Sequence, residues 1–294
     1  MKRILYLTVT FCIFVATQAM AAEDPEHHPL DAHLSDVYTE DLPGLIQRRY
    51  IRVLTTMNRT NFFLAGGKAH GFEYALLREY EKFLNESIKR RELKVVLEFI
   101  PVSRDRLLTD LVEGRGDIAA AGLTITQTRK KRVDFTRPYI TGVEEQLVTH
   151  KSVSAPENLR QLSRKRIFVR NSSSYYESLL LLNRRLDNAG LRPAAIVAAD
   201  ENLETEDILE LVNTGAIERT VADSHIVEIW TQVLHDIRVH ENIVFRKGGQ
   251  IAWAVRKDAP KLKESLDRFL KNHRKGSLLG NIFFKRYYEE NAWV

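Results

Sequence analysis

An arginine at position 129 and an aspartate at position 223 are the residues whose type and place could do chemistry in this sequence. Arg129 closes the string Gly116-Asp117-Ile118-Ala119-Ala120-Ala121-Gly122-Leu123-Thr124-Ile125-Thr126-Gln127-Thr128-Arg129. A guanidinium offers a planar fork that matches a carboxylate with two parallel hydrogen bonds, a charge-assisted pairing of about 1.5–3 kcal/mol. On the turn after a buried strand, that fork would stand at the carboxyl edge of a sheet, where open α/β folds hold their ligands. The bland alternative for Arg129 is a surface salt bridge. In the same turn, Gly122 leaves its carbonyl approachable, and Thr124 adds a hydroxyl and an N–H. Asn171-Ser172-Ser173-Ser174 joins a strand to a helix, so Ser173 and Ser174 lie where exposed N–H groups and the helix dipole favour an anion. They also serve there as plain N-caps. Asp223, in Val221-Ala222-Asp223-Ser224, ends a strand and begins a helix, which is equally the place of a capping residue.

The elements that must position these residues alternate between short β-branched runs and helical patterns, the mark of an α/β chain. Strands are expected at 50–55, 95–100 and 117–121, with a helix at 72–89 and another capped by Ser103 and stopped by Gly114. A second series follows, with strands at 166–170, 194–199 and 219–222 and helices from Ser174 to near Gly190, at 204–213 and at 224–234. A strand at 251–255, an amphipathic stretch at 262–269 and a last helical segment at 278–288 complete the pattern. No repeat of solenoid period and no low-complexity tract is present.

The string ending at Arg129 continues to Val133-Asp134-Phe135-Thr136-Arg137-Pro138-Tyr139. Together they resemble the family 3 periplasmic solute-binding proteins: a Gly-x-x-Asp strand, a Gly-x-Thr turn, a Thr-x-x-Arg, then Asp-Phe-Ser/Thr-x-Pro-Tyr. The resemblance covers residues 45–288. Ala120-Ala121-Gly122-Leu123, Asn171-Ser172-Ser173, Val221-Ala222-Asp223-Ser224 and Ala252-Trp253-Ala254-Val255 also resemble the N-terminal, non-catalytic domain of the lytic murein transglycosylase F family. Its catalytic domain would follow near Val294, and Glu177-Ser178 lacks the segment that follows a transglycosylase Glu-Ser pair. The resemblance implies a two-lobed periplasmic binding protein fold of type II, each lobe a sheet flanked by helices, joined by a two-strand hinge. Lobe 1 is expected at 45–146 and 247–294 and lobe 2 at 147–246, with crossings at 146–151 and 245–250.

It also implies a ligand site of Gly122, Thr124, Arg129, Ser173, Ser174 and Asp223, with Arg129 on a carboxylate and Asp223 on an ammonium. Ser172 stands where the family often has Gly, and Glu73 where it usually has Asp. The family also stacks a tyrosine of the first loop on the ligand. Here that loop offers Phe62 or Phe63, either of which serves equally as core. The implied ligand is an amino acid or short peptide, and closure of the lobes on it would be read by an ABC permease, a sensor or a cell-wall enzyme. A few relatives on the fold are cyclohexadienyl dehydratases, so Glu73, Glu177 and His225 are kept as acid–base candidates.

Composition narrows the rest. No Ser-His-Asp arrangement, metal spacing or phosphate loop is present, so no catalytic or metal site and no cofactor is expected. Residues 1–21 read as a signal peptide: Lys2 and Arg3, an apolar run too short for the roughly 20 residues of a spanning helix, then Ala19 and Ala21. Removing it takes the formal charge from +5 to +3, too mild for a nucleic-acid binder. It also removes Cys12, so no disulfide framework is expected and buried apolar area must supply stability. Residues 22–44 read as a mobile N-terminus, whose His27, His28, Asp31 and His33 would bind metal only adventitiously. The mature protein is expected to be a periplasmic monomer.

Overall fold

A computed structural model describes residues 36–289. The expected signal peptide, Cys12 and the histidines at 27, 28 and 33 lie outside the described residues.

The chain opens with α1 (Leu42–Arg48) and β1 (Tyr50–Thr55), then a small hairpin of β2 (Phe63–Ala65) and β3 (Lys68–His70). Next come α2 (Phe72–Asn85), β4 (Val96–Pro101), α3 (Leu107–Val112), β5 (Ile118–Ala119), α4 (Gln127–Lys130) and β6 (Asp134–Phe135). The long β7 (Ile140–His150) leads to β8 (Arg166–Val169), α5 (Ser174–Asn188), β9 (Ala195–Ala198), α6 (Thr205–Asn213), β10 (Arg219–Asp223) and α7 (Ser224–Trp230). A second long strand, β11 (Ile237–Ile251), returns to β12 (Ala254–Val255), α8 (Pro260–Leu270) and α9 (Leu278–Phe284), with a π-helical turn at Lys285–Glu289.

Two five-stranded sheets result, ordered β4-β1-β5-β12-β6 and β11-β7-β10-β8-β9. In each, four strands run one way and a single strand, β12 in the first and β7 in the second, runs against them. This is the two-lobed α/β architecture. The central strands β1 and β5 are buried on both faces under helices, and the one charged side chain of β1, Arg52, is satisfied there by the carbonyls of Asp36 and Gly114. On α2, Phe72, Leu76, Leu77 and Tyr80 recur at helical spacing and are fully buried. Each such side chain contributes about 1.5–3 kcal/mol by leaving water. Gly71 starts that helix at φ 128°, and a Cβ there would meet the Asn61 carbonyl oxygen at 2.1 Å, so only glycine fits.

Several expectations need correction. Residues 36–41 do not float: the Tyr38 N–H donates to the Gly114 carbonyl, and Arg48 and Arg52 lie over the Tyr38 ring. The helix at Leu42–Arg48 begins inside the segment expected to be mobile: Asp41 caps it and Pro43 suits its first turn. Ser103 does not cap α3, which starts at Leu107 after a turn in which the Arg106 N–H donates to the Ser103 carbonyl. The expected strand at 117–121 pairs only over Ile118–Ala119, since the backbone turns toward Gly122 at φ 61°.

The crossing between sheets also moves. Glu145 and Gln146 already pair with Asp223 and Ala222 in the second sheet, so the first crossing lies upstream of 146–151. It falls at residues 140–144, where β7 pairs with the far end of β11 through a run of register irregularities.

Candidate functional site

A cavity of about 530 Å³ lies between the carboxyl ends of the two sheets and takes walls from both lobes. That size suits a small organic ligand. All six residues expected at a site (Gly122, Thr124, Arg129, Ser173, Ser174 and Asp223) line it.

The first lobe supplies the turn after β5. Gly122 sits at φ 61°, and a Cβ there would lie 3.2 Å from Asn61 Nδ2. Its N–H donates to Glu73 Oε2 at 3.0 Å, while the Tyr139 hydroxyl donates to Glu73 Oε1. Burial pushes the Glu73 carboxyl up to about 7, against the lowering effect of those two bonds. Glu73 therefore props the turn from beneath and does not line the cavity. Gly122→Ala is expected to lower the melting temperature by a few degrees, because the left-handed backbone costs a Cβ about 1–2 kcal/mol. Thermal unfolding followed by circular dichroism checks it.

Four residues further on, Thr126 accepts the Arg129 N–H and caps α4, while its hydroxyl donates to Glu177 Oε1 at 3.0 Å. The Arg129 guanidinium is part-buried. Nη1 donates to the Thr124 carbonyl at 2.8 Å and Nη2 to the Ser172 carbonyl at 2.9 Å, so it touches both lobes. Among the described residues it makes no ion pair, and burial lowers its pKa to about 10. A cation so placed favours an anion beside it.

The second lobe supplies the N-terminus of α5 and the end of β10. Ser173 Oγ accepts the Tyr176 N–H and donates to the Arg170 carbonyl, so its capping role is realised. Asp223 differs: it occupies the N-cap of α7 but makes no capping bond with its side chain. Its Oδ1 finds no hydrogen-bond partner among the described residues. Opposite it on β7 stands Glu145, which accepts from Ser178 and lies 3.2 Å from Arg246. Burial, and then the charge of Glu145, push the Asp223 carboxyl up to about 8.

Other groups at the cavity were not legible in the sequence. Arg104, Arg170, Tyr175 and Glu206 all line it. The Tyr175 hydroxyl accepts the Asp223 N–H, Glu206 is pushed up to about 7 by burial and by Glu204, and burial lowers Arg170. No local pattern marks them, because strands far apart in sequence bring them together. Of the acid–base candidates, Glu177 and His225 line the cavity, and burial lowers His225 to about 3, so its ring is neutral. Phe62 packs on Phe99 and Tyr74 as core, and Phe63 stacks on His70.

Three buried carboxyls thus hold protons more tightly folded than unfolded: Glu73 and Glu206 to about 7, and Asp223 to about 8. Their contribution to stability is present in full near pH 4 and is lost as pH rises toward 8. Ligand-free protein is accordingly expected to melt higher at pH 5 than at pH 8, as calorimetry would show.

Residues 51–288 match the family model of bacterial extracellular solute-binding proteins, family 3. The chain belongs to this family. Among curated family relatives, a membrane-bound lytic murein transglycosylase F from Desulfosudis oleivorans is 30% identical over 82% of this chain and 49% of its own length. One from Saccharophagus degradans is 29% identical over 75% of this chain and 41% of its own. This family 3 chain therefore spans about half the length of those relatives or less. Among solved structures, an ancestral amino-acid-binding protein, AncCDT-1, described as a precursor of cyclohexadienyl dehydratase, aligns with TM-score 0.66 at 22% identity. That alignment covers 84% of this chain and 99% of the other. A binding component of an ABC transporter from Wolinella succinogenes, complexed with lysine, aligns with TM-score 0.66 at 21% identity over 84% and 98%. These likenesses establish the type II two-lobed fold of family 3. Among the described residues, no helix is long and apolar enough to cross a membrane.

Proposed function

We propose that this chain is a non-catalytic binding protein whose lobes close on an α-amino acid or a short peptide. Arg129 takes the ligand carboxylate and Asp223 its ammonium, with Gly122, Thr124, Ser173 and Ser174 placing backbone and hydroxyl groups around them. The observation that carries this reading is the pairing in one cavity of a guanidinium and a carboxyl, one from each lobe, which among the described residues have no ion pair and no capping bond respectively. A zwitterion satisfies both. Export after cleavage near Ala21 fits such a role, with an ABC permease as reader.

The transglycosylase F relatives favour a second reading, a regulatory module that binds peptidoglycan fragments for a cell-wall enzyme. A melting-temperature screen against amino acids, short peptides and muropeptides tests both. Stabilisation by free amino acids supports transport or sensing, and stabilisation by muropeptides alone supports the second reading. No shift with any zwitterion would overturn the site.

A further inference from the structure

One guanidinium ties the lobes together beside the residues assigned to the ligand. Arg104, in the loop after β4, reaches across to the N-cap residue of α6 in the other lobe. Its Nε donates to the two carboxylate oxygens of Glu204 at 2.9 and 3.1 Å, and its Nη2 donates to Glu204 as well. The remaining nitrogen, Nη1, donates to the carbonyl of Ala121, next to Gly122. All three nitrogens are engaged, two across the gap and one on the site-bearing turn. The pair is largely dehydrated, with side-chain exposures of 14% for Arg104 and 4% for Glu204.

Glu204 is fixed at its own end. Its carboxylate also accepts a backbone N–H of α6, while its own N–H donates to Asp207 Oδ2 at 2.7 Å. Backbone bonds flank the pair: the Arg104 N–H to the Glu201 carbonyl, and the Arg59 N–H to Glu206 Oε1 at 3.1 Å. The ion pair therefore connects two rigid pieces, the Gly122 turn and the start of α6.

We propose that Arg104 and Glu204 form a latch through which the protein's own charges set lobe closure, ahead of any ligand. With the lobes together, both charges have left water and each is the other's counter-ion. With the lobes apart, both are rehydrated. Removing one partner makes closure bury a lone charge, which is far costlier than removing both. Closure thus depends on the match of the two residues.

The test is a double-mutant cycle on the free protein from Ala22 onward, which carries no cysteine of its own, so it reads the latch whether or not the proposed ligand site is right. Spin labels on cysteines at the exposed positions Glu86 and Arg192, one in each lobe, report the lobe-to-lobe distance. Wild-type protein is expected to show a short-distance population beside the open one, which a ligand would then enlarge. Arg104→Met and Glu204→Gln, each close in shape to the original, should each shift the closed-to-open ratio at least tenfold toward open. The Arg104→Met/Glu204→Gln double variant should return most of the closed population. Circular dichroism melts show that each variant is folded, and Arg104→Lys, which keeps the charge but not the fork, should fall between wild type and Arg104→Met. A wild-type protein with no short-distance population, singles that keep its distribution, or a double variant as open as the singles would each overturn the latch.

Discussion

Arg129→Ala is expected to abolish ligand binding, with a loss of at least 100-fold in affinity and little change in fold. The guanidinium lies against both lobes yet carries no ion pair among the described residues, and the proposed function gives it the ligand carboxylate. Losing a bidentate, part-buried charge pairing costs about 3 kcal/mol, which is the 100-fold. Arg129→Lys should not restore it, because an ammonium cannot reach the Thr124 and Ser172 carbonyls and grip a carboxylate with parallel bonds as well. Calorimetry with whichever amino acid or peptide stabilises the wild type most is the measurement, with the melting temperature as control. Affinity within threefold of wild type would remove Arg129 from the site.

Ligand affinity is also expected to depend on pH through Asp223. Its carboxyl titrates at about 8, raised by burial and by Glu145, so at pH 7 it is mostly protonated. An ammonium pairs with the carboxylate, so binding expels a proton and affinity rises with pH, about tenfold per unit below 8, before levelling off. Glu177, Glu206 and His225 also line the cavity, and His225 stays neutral over this range. The control is therefore Asp223→Asn, which keeps the shape but should weaken amino ligands at pH 8 and flatten the slope. A ligand without the amino group should bind both proteins alike. If wild-type affinity is flat from pH 6 to 8, or if Asp223→Asn weakens amino and non-amino ligands equally, Asp223 does not hold the ammonium.

What the sequence by itself determined is what local patterns encode. Tyr50–Thr55 is a strand because an apolar, β-branched run leaves it little else, and α5 begins at Ser174 because Ser173 caps it. The long ordered string around Gly122 and Arg129 was enough to name the family and a two-lobed fold, and its six expected site residues do share one cavity. The tertiary structure decided what depends on distance across the chain. Whether Asp223 caps or stays open cannot be read locally, since both uses place an acid at the start of a helix; the bare Oδ1 opposite Glu145 separates them. Glu73 looked like a cavity acid and became a buried prop, because Tyr139, 66 residues away, closes over it. Nothing in the sequence singled out Arg104, and only the fold sets Glu204, 100 residues later, against it. Charges that meet only across two sheets leave no trace in spacing, because nothing local fixes their separation.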